Sequence, residues 1–305
     1  MSFSVTILGS SAALPAYGRN PSAQYVAIQN RHFLIDCGEG TQMQLVKFQV
    51  PAHRINHIFI SHLHGDHYLG IMGLLFSMHL QKRTADLHVY SPPGLDEIIL
   101  LHLKHSRSVV NYEIKFHVFD PLQRITLFED AALAVETIPL RHKLPCAGFL
   151  FREKQKPFKL NKEKITPSLK LQHLALLKTG ADIYDTDHTL LYRNEEFTLP
   201  PLPSYSYAYC SDTAWNNPMI DQLTGVDLLY HEATFMEADG DKALETQHST
   251  TTEAARMALQ CKAGKLIIGH FSARYKDLQL VVEEARKTFR NTELAIEGIT
   301  FELPA

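Results

Sequence analysis

The stretch Ser61-His62-Leu63-His64-Gly65-Asp66-His67 places three histidines and an aspartate within six residues. An apolar, β-prone run over 57–60 leads into it and a helix-like run over 68–81 leads out. A strand that ends in a ligand-dense loop holds a site on rigid elements. The H-x-H-x-D-H spacing lets His62 and His64 reach one metal while Asp66 and His67 point at a second position beside it. Imidazole together with carboxylate suits zinc, and less exclusively manganese or iron. The chain carries 17 histidines, and a lone histidine is usually structural. Four ligand-type side chains around Gly65, which permits a tight bend, read instead as a metal pair.

Outward from this loop, strands and helices alternate. On the N-terminal side, 3–8 reads as a strand closing at Gly9-Ser10-Ser11-Ala12, 24–28 and 32–36 as a hairpin, and 39–48 as a helix. On the C-terminal side, 68–79 is apolar nearly all round, which predicts a helix that is deeply buried or lies at a subunit interface. Strands follow at 87–90, 113–119, 124–128, 133–140, 205–210, 227–230 and 265–269. Helices are predicted at 95–105, 250–261 and 277–289, the second opened by Ser249 or Thr250 with Glu253 as a capping box. Strands alternating with helices in both halves predict two sheets packed face to face, with helices outside.

Bulk properties exclude several classes. An apolar fraction of 45% is ordinary for a globular protein with a sizeable core. The four cysteines, Cys37, Cys146, Cys210 and Cys261, are scattered, which excludes a disulfide framework or thiolate zinc finger and fits a reducing cytosol. No signal peptide and no membrane-spanning apolar stretch is visible, so a cytoplasmic location is expected. Net charge is −3, but it is unevenly spread. Residues 152–178 hold eight Lys/Arg, among them Lys154, Lys156, Lys159, Lys162 and Lys164, against two acids, a net +6 that leaves the rest of the chain at −9. With Pro157 and Pro167 the segment reads as an inserted, projecting arm, and its concentrated charge as a polyanion footprint.

A two-metal site needs more ligands than one loop supplies. Three residues stand at the ends of predicted strands, as the first set does: His142 after 133–140, Asp212 after 205–210 and His270 after 265–269. Their recurrence at the same kind of position makes them the candidates.

At this point the chain resembles the ribonuclease Z family of the metallo-β-lactamase superfamily, over essentially its whole length. The resemblance rests on GSSAALP with RNPSA (9–23), FLIDCGEGTQMQL (33–45), SHLHGDHYLGIMGLL (61–75), RHK (141–143), SDT (211–213), HEATF (231–235), HST (248–250) and GHFSARY (269–275). It implies a single αββα sandwich domain over 1–305, with 152–180 as a flexible arm that grips tRNA. It implies two zinc ions per subunit, one held by His62, His64 and His142, the other by Asp66, His67 and His270, with Asp212 bridging. Asp66 would accept a proton, His248 would protonate the leaving ribose oxygen, and Glu232 would orient His248. Ser272, Arg274 and Tyr275, with Arg19 and Asn20, would contact RNA. The implied reaction removes 3′ trailers from precursor tRNA, cutting 3′ of the discriminator to leave a 3′-hydroxyl and a 5′-phosphate trailer. The implied assembly is a homodimer, and no other protein partner is evident. Two departures stand out: Tyr17 replaces the lysine of the family's P-x-K-x-R-N loop, and residues 165–168 lack the Gly-Pro that often precedes the arm's Leu177-Lys178-Thr179-Gly180 return.

Two rival readings remain. A phosphodiesterase or arylsulfatase-like hydrolase of small esters would not need the basic arm. A catalytically dead RNA-binding member would not need the complete ligand set.

Overall fold

In the strand His57–Phe59, successive side chains enter different layers, as a strand's period of two requires. Ile58 packs with helical residues such as Leu74, Leu75 and Ile99, whereas Phe59 meets Phe149 and Phe151 of a second sheet. The computed structural model describes residues 3–167 and 169–304; Met1, Ser2, Ser168 and Ala305 lie outside the described residues, and with Ser168 the end of the 165–168 stretch.

The first sheet holds β1 (Phe3–Gly9), β2 (Ala23–Ile28), β3 (Arg31–Ile35), β4 (His57–Phe59), β5 (Leu87–Ser91) and β6 (Ile114–Val118). The second begins with β7 (Thr126–Glu129), β8 (Leu133–Leu140) and β9 (Cys146–Glu153). Four short strands follow, β10 (Lys159–Leu160), β11 (Ile183–Tyr184), β12 (Leu190–Tyr192) and β13 (Thr198–Leu199). The second sheet then continues with β14 (Ser206–Cys210), β15 (Leu228–Glu232), β16 (Lys265–Gly269) and β17 (Thr292–Leu294), and β18 (Thr300–Leu303) returns to pair with β1. The two seven-stranded orders are β18-β1-β2-β3-β4-β5-β6 and β17-β16-β15-β14-β9-β8-β7. Both are mixed: β3 to β6 run parallel, as do β14 to β17.

The helices are α1 (Thr41–Lys47), α2 (Gly65–Tyr68), α3 (Ile71–Leu80), α4 (Leu95–Ser106), α5 (Leu171–Lys178), α6 (Asn194–Phe197), α7 (Met219–Leu223), α8 (Gly240–Thr246), α9 (Thr251–Gln260) and α10 (Gln279–Thr288). α1, α3 and α4 cover one sheet, and α7, α9 and α10 the other. The layers are therefore αββα. Phe33, Phe59, Phe149, Phe151 and Tyr207 fill the space between the sheets, and burying each ring contributes roughly 1.5–3 kcal/mol. The α9 cap is Thr250 with Glu253, a reciprocal pair.

The chain forms two compact units. The sandwich comprises 3–128, 135–151 and 206–304 of the described residues, and the second unit comprises 129–134 and 152–205. The basic segment is thus the first half of a unit that runs on to Tyr205. That unit has its own small core of Leu169, Leu177 and Ile183, with Leu174, Tyr192 and Phe197 packed on it. β9 was not legible in advance, because its charged end, Arg152-Glu153, reads as the start of the arm; Glu153 is in fact buried and paired with Lys156.

The helix expected over 68–81 is two helices, and Gly70 is the reason. The Gly70 N–H donates to the Cys37 carbonyl at 2.9 Å, and a Cβ at Gly70 would lie 2.1 Å from the Gly38 carbonyl oxygen. The ligand loop and the 36–40 loop can approach this closely only without a side chain there. Gly70→Ala is expected to lower the unfolding free energy by roughly 3 kcal/mol and to reduce bound metal. Urea denaturation and metal analysis check this; an unchanged midpoint with full metal content contradicts it.

Candidate metal centre

The carboxyl ends of strands from both sheets meet in one cleft. β4 leads to His62, His64, Asp66 and His67; β8 leads to His142; β14 leads to Asp212; β16 leads to His270. The ligand atoms of His62, His64, His142 and Asp212 lie within 4.8 Å of one another, and so do those of Asp66, His67 and His270. Asp212 faces both groups. Its Oδ2 is 3.5 Å from His62 Nε2 and 3.7 Å from His142 Nε2, while its Oδ1 is 3.4 Å from His67 Nε2 and 3.3 Å from His270 Nε2. Asp66 Oδ2 approaches His67 Nε2 at 3.5 Å and His270 Nε2 at 3.3 Å. His270 itself has φ of +59°, a left-handed conformation that turns its ring off the end of β16.

The outward nitrogen of four of the five imidazoles is already committed. His67 Nδ1 donates to Asp36 Oδ2 at 2.7 Å, His142 Nδ1 to the Gln247 carbonyl at 2.9 Å, His270 Nδ1 to Thr234 Oγ1 at 2.8 Å, and His62 Nδ1 to Ser61 Oγ at 3.0 Å. Each ring is thereby fixed as the tautomer with a bare Nε2 pointing inward. His62 Nε2 and His142 Nε2 then face His64 Nδ1 at 3.0 and 3.2 Å, with at most one proton to share among the three. His67 Nε2 and Asp212 Oδ1 are buried with no hydrogen-bond partner. Converging lone pairs and orphaned buried atoms are the donor set of a cation, so these residues fit a metal.

Electrostatics agree. Burial and the surrounding imidazoles hold His62 well below the ordinary histidine range, and burial lowers His64 and His142. Burial acts to raise Asp66 and Asp212, but His67 and His270 outweigh it and hold both below the usual carboxylate range. Burial acts to lower His67, yet Asp212, Asp66 and Asp36 push it well up, which marks a place that demands positive charge.

His248 stacks on His270 with ring centroids 5.3 Å apart and donates from Nδ1 to Glu232 Oε1 at 2.8 Å. Glu232 is fully buried inside β15, opposite Gly269 in register. It also accepts from the Thr213, Thr234 and Ser249 N–H groups, each at 3.0 Å, and from Thr234 Oγ1 at 2.7 Å. Burial acts to raise Glu232, but His248 outweighs it and holds the carboxylate below its usual range. Burial acts to lower His248, but Glu232 and Asp212 push it up to about 9. The cleft, about 680 Å3, is lined by Leu14, Asp66, His142, Lys143, Phe235, His248 and Ser272 among others.

Of the other sequence-predicted contacts, Ser272, Arg274, Tyr275 and Arg19 are joined through Asp239 in one chain of hydrogen bonds, apart from the lysines of the second unit. Ser272 lines the cleft and accepts from Arg274 Nε at 3.2 Å. Arg274 pairs with Asp239 at 3.0 Å, and the Tyr275 hydroxyl also donates to Asp239. Arg19 Nη2 donates to the Tyr275 carbonyl at 2.9 Å, and Asn20 Nδ2 to Glu297 at 3.2 Å. Tyr17 is exposed, with the Arg19 guanidinium 5.4 Å from its ring centre. In the second unit, Lys154 pairs with Glu129 and Lys156 with Glu153, whereas Lys159, Lys162 and Lys164 are exposed with no ion pair among the described residues. Sequence reasoning missed Asp36, which besides His67 binds Ser61 N–H at 2.8 Å and the Tyr209 hydroxyl at 2.7 Å. Its signal was present: a carboxylate at the end of a strand, like Asp212.

An αββα sandwich with this histidine–aspartate cluster at its strand ends defines a metal-binding hydrolase of the metallo-β-lactamase fold. A family model described as anti-Pycsar protein Apyc1 matches residues 3–162. A ribonuclease Z of Bacteroides fragilis strain YCH46 is 44% identical over 302 residues, 99% of each chain. One from Cytophaga hutchinsonii is 46% identical over 301 residues, 99% of this chain and 96% of its own. The crystal structure of human tRNase Z, short form, superposes with a TM-score of 0.72 at 26% identity, covering 99% of this chain and 100% of its own. The chain belongs to the family that the model describes over its N-terminal half and, over its whole length, to the ribonuclease Z family.

Asp36→Asn keeps the shape of the side chain but removes the charge that orients His67. It is expected to weaken metal binding about 10- to 100-fold, measured by competition with a chromogenic chelator. Unchanged affinity would remove Asp36 from the centre.

Proposed function

We propose that the chain is a zinc-dependent endoribonuclease that removes 3′ trailers from precursor tRNA, cutting 3′ of the discriminator. The observation that carries the reading is Asp212, whose two oxygens face two separate groups of metal-type ligands. The hydrolysis of small esters is not favoured, because the full-length relatives are ribonucleases Z.

His62, His64 and His142 would hold one zinc and Asp66, His67 and His270 the other, with Asp212 shared, two ions per subunit. Such a pair supplies an electrophilic clamp on the attacking and leaving oxygens and a water acidified to near neutrality. Asp66 is placed to accept a proton, its Oδ2 fixed by the Ala13 N–H at 2.8 Å. His248 is the general acid. With Nδ1 held by Glu232, the ring lines the reaction cleft, where its Nε2 would give a proton to the leaving ribose oxygen. Glu232 is the residue that positions it.

The 152–180 arm is the substrate grip, and the sandwich is the catalytic domain that carries it. Lys159, Lys162 and Lys164 are free to meet phosphates, a mode of contact that reads folded RNA by its backbone. Arg274, Tyr275, Arg19 and Asn20 act on RNA by shaping the loops beside Ser272 rather than as free side chains, given their internal bonds. A homodimer is supported by the apolar surface beside α1 and α3, where Met43, Val46, Leu69 and Leu80 are 74, 73, 59 and 77% exposed. A cytoplasmic location is supported by four buried, unpaired cysteines; among the described residues no helix is long and apolar enough to cross a membrane.

His248→Ala is expected to slow precursor cleavage by roughly 10²- to 10⁴-fold while metal content stays near that of the wild type. Full activity in that variant would end the general-acid assignment. Replacing Lys159, Lys162 and Lys164 by alanine is expected to flatten the dependence of log binding constant on log salt by about 2–3 units of slope. An unchanged slope in a filter-binding series would remove the arm from the RNA interface.

A further inference from the structure

A second cleft, of about 510 Å3, shares His248 with the reaction cleft. Its lining comes from Arg141, which precedes His142, from Trp215 in the loop after Asp212, and from Thr250, Glu253 and Arg256 at the start of α9. Trp215 is the chain's single tryptophan. One part of the ring packs on the core beneath α7 and α9, and the rest is open to the cleft. Its Nε1 donates to Asn217 Oδ1 at 2.8 Å, which sets the plane of the ring. The loop that carries it is tied to the loop of His142, with Ala214 N–H donating to the Arg141 carbonyl at 2.8 Å and Arg141 N–H to Thr213 Oγ1 at 3.1 Å. The loop that carries the indole directly after Asp212 is therefore tied to the loop of His142.

The charges around it are unspent. The Arg256 guanidinium carbon lies 5.6 Å from the centre of the indole. Arg141 and Arg256 are both exposed, and neither guanidinium has a hydrogen bond or ion pair among the described residues. The cleft also holds Glu253, which accepts from Thr250 N–H at 2.9 Å as the helix cap, and Glu237, which accepts from Thr250 Oγ1 at 3.0 Å; among the described residues neither forms an ion pair with the two arginines. An aromatic surface beside two guanidiniums that are not engaged in ion pairs is what a nucleobase with its flanking phosphate requires.

We propose that this cleft is the subsite for the nucleotide whose 3′ oxygen leaves, with its base stacked on Trp215 and Arg256 and with Arg141 against a neighbouring phosphate. The assignment rests on the reading of His248 as proton donor to that oxygen, because the nucleotide bearing the oxygen must then lie against His248. Stacking accepts any base, since every base has a π face, so the subsite fixes the position of the nucleotide without demanding its identity.

The test compares the wild-type protein on a precursor tRNA and on the same precursor made abasic at that nucleotide. Loss of the base is expected to lower kcat/KM roughly 10-fold or more, the size that removal of one base–aromatic stack produces. Trp215→Ala is expected to show a similar loss on the intact precursor and no additional loss on the abasic one, and Trp215→Phe to recover most of the activity. The tryptophan also reports directly: a tRNA ending at this nucleotide should quench its fluorescence, and the abasic form should not. Full-rate cleavage of the abasic precursor by the wild type overturns the proposal, as do losses that multiply when variant and abasic substrate are combined. A wild-type protein that cuts neither precursor overturns the underlying reading instead, and the subsite with it.

Discussion

Asp212 is a buried carboxylate set between two groups of imidazoles, and much of the structure exists to make that arrangement tolerable. A buried anion without compensation costs several kcal/mol. Here the surrounding rings have their protons tied up on the outside, by Asp36, Thr234, Ser61 and a backbone carbonyl, so the inward nitrogens offer lone pairs rather than protons. Carboxylates and bare imidazoles converging in one place are mutually compatible only around positive charge. The same geometry that makes the cluster unfavourable by itself makes it a strong cation site, and metal binding is expected to contribute to folding as well as to chemistry.

The sandwich supplies what this cluster needs. Strands of both sheets deliver their carboxyl ends to one cleft, so ligands far apart in sequence arrive on rigid elements. The aromatic layer between the sheets excludes water from behind the site, and Tyr209 passes through it to bind Asp36. Asp36 in turn holds Ser61 and His67, so the inter-sheet core and the ligand loop are parts of one hydrogen-bonded assembly. Glu232 plays the corresponding part for His248, whose Nδ1 donates to it at 2.8 Å.

The sequence was most legible where chemistry and local pattern coincide. The 61–67 loop announces metal by spacing alone, and His142, Asp212 and His270 follow from their positions after apolar runs. The capping box at Thr250 and Glu253 is likewise a local signal, and it appears as expected. What could not be read depends on distant approach. Gly70 breaks a helix only because the Gly38 carbonyl lies against it, and nothing in the local pattern shows that. Asp36 shows only a carboxylate at a strand end; that its partner is His67, 31 residues along the chain, appears only in the fold. Arg274 and Tyr275 look like free phosphate ligands, but Asp239 occupies both. Trp215 and Arg256 are unremarkable 41 positions apart and become one surface only in the folded chain.

Under the proposed function the protein cuts one particular phosphodiester of a precursor tRNA, and this cluster would hold the two metal ions that reaction uses. The most direct test is the purified protein acting on an end-labelled precursor, with and without zinc, with the products mapped to the nucleotide. The expected result is a single zinc-dependent cut immediately 3′ of the discriminator, giving a tRNA with a 3′-hydroxyl and a trailer with a 5′-phosphate. Turnover in metal-free protein, or a cut that leaves a 3′-phosphate, would contradict it.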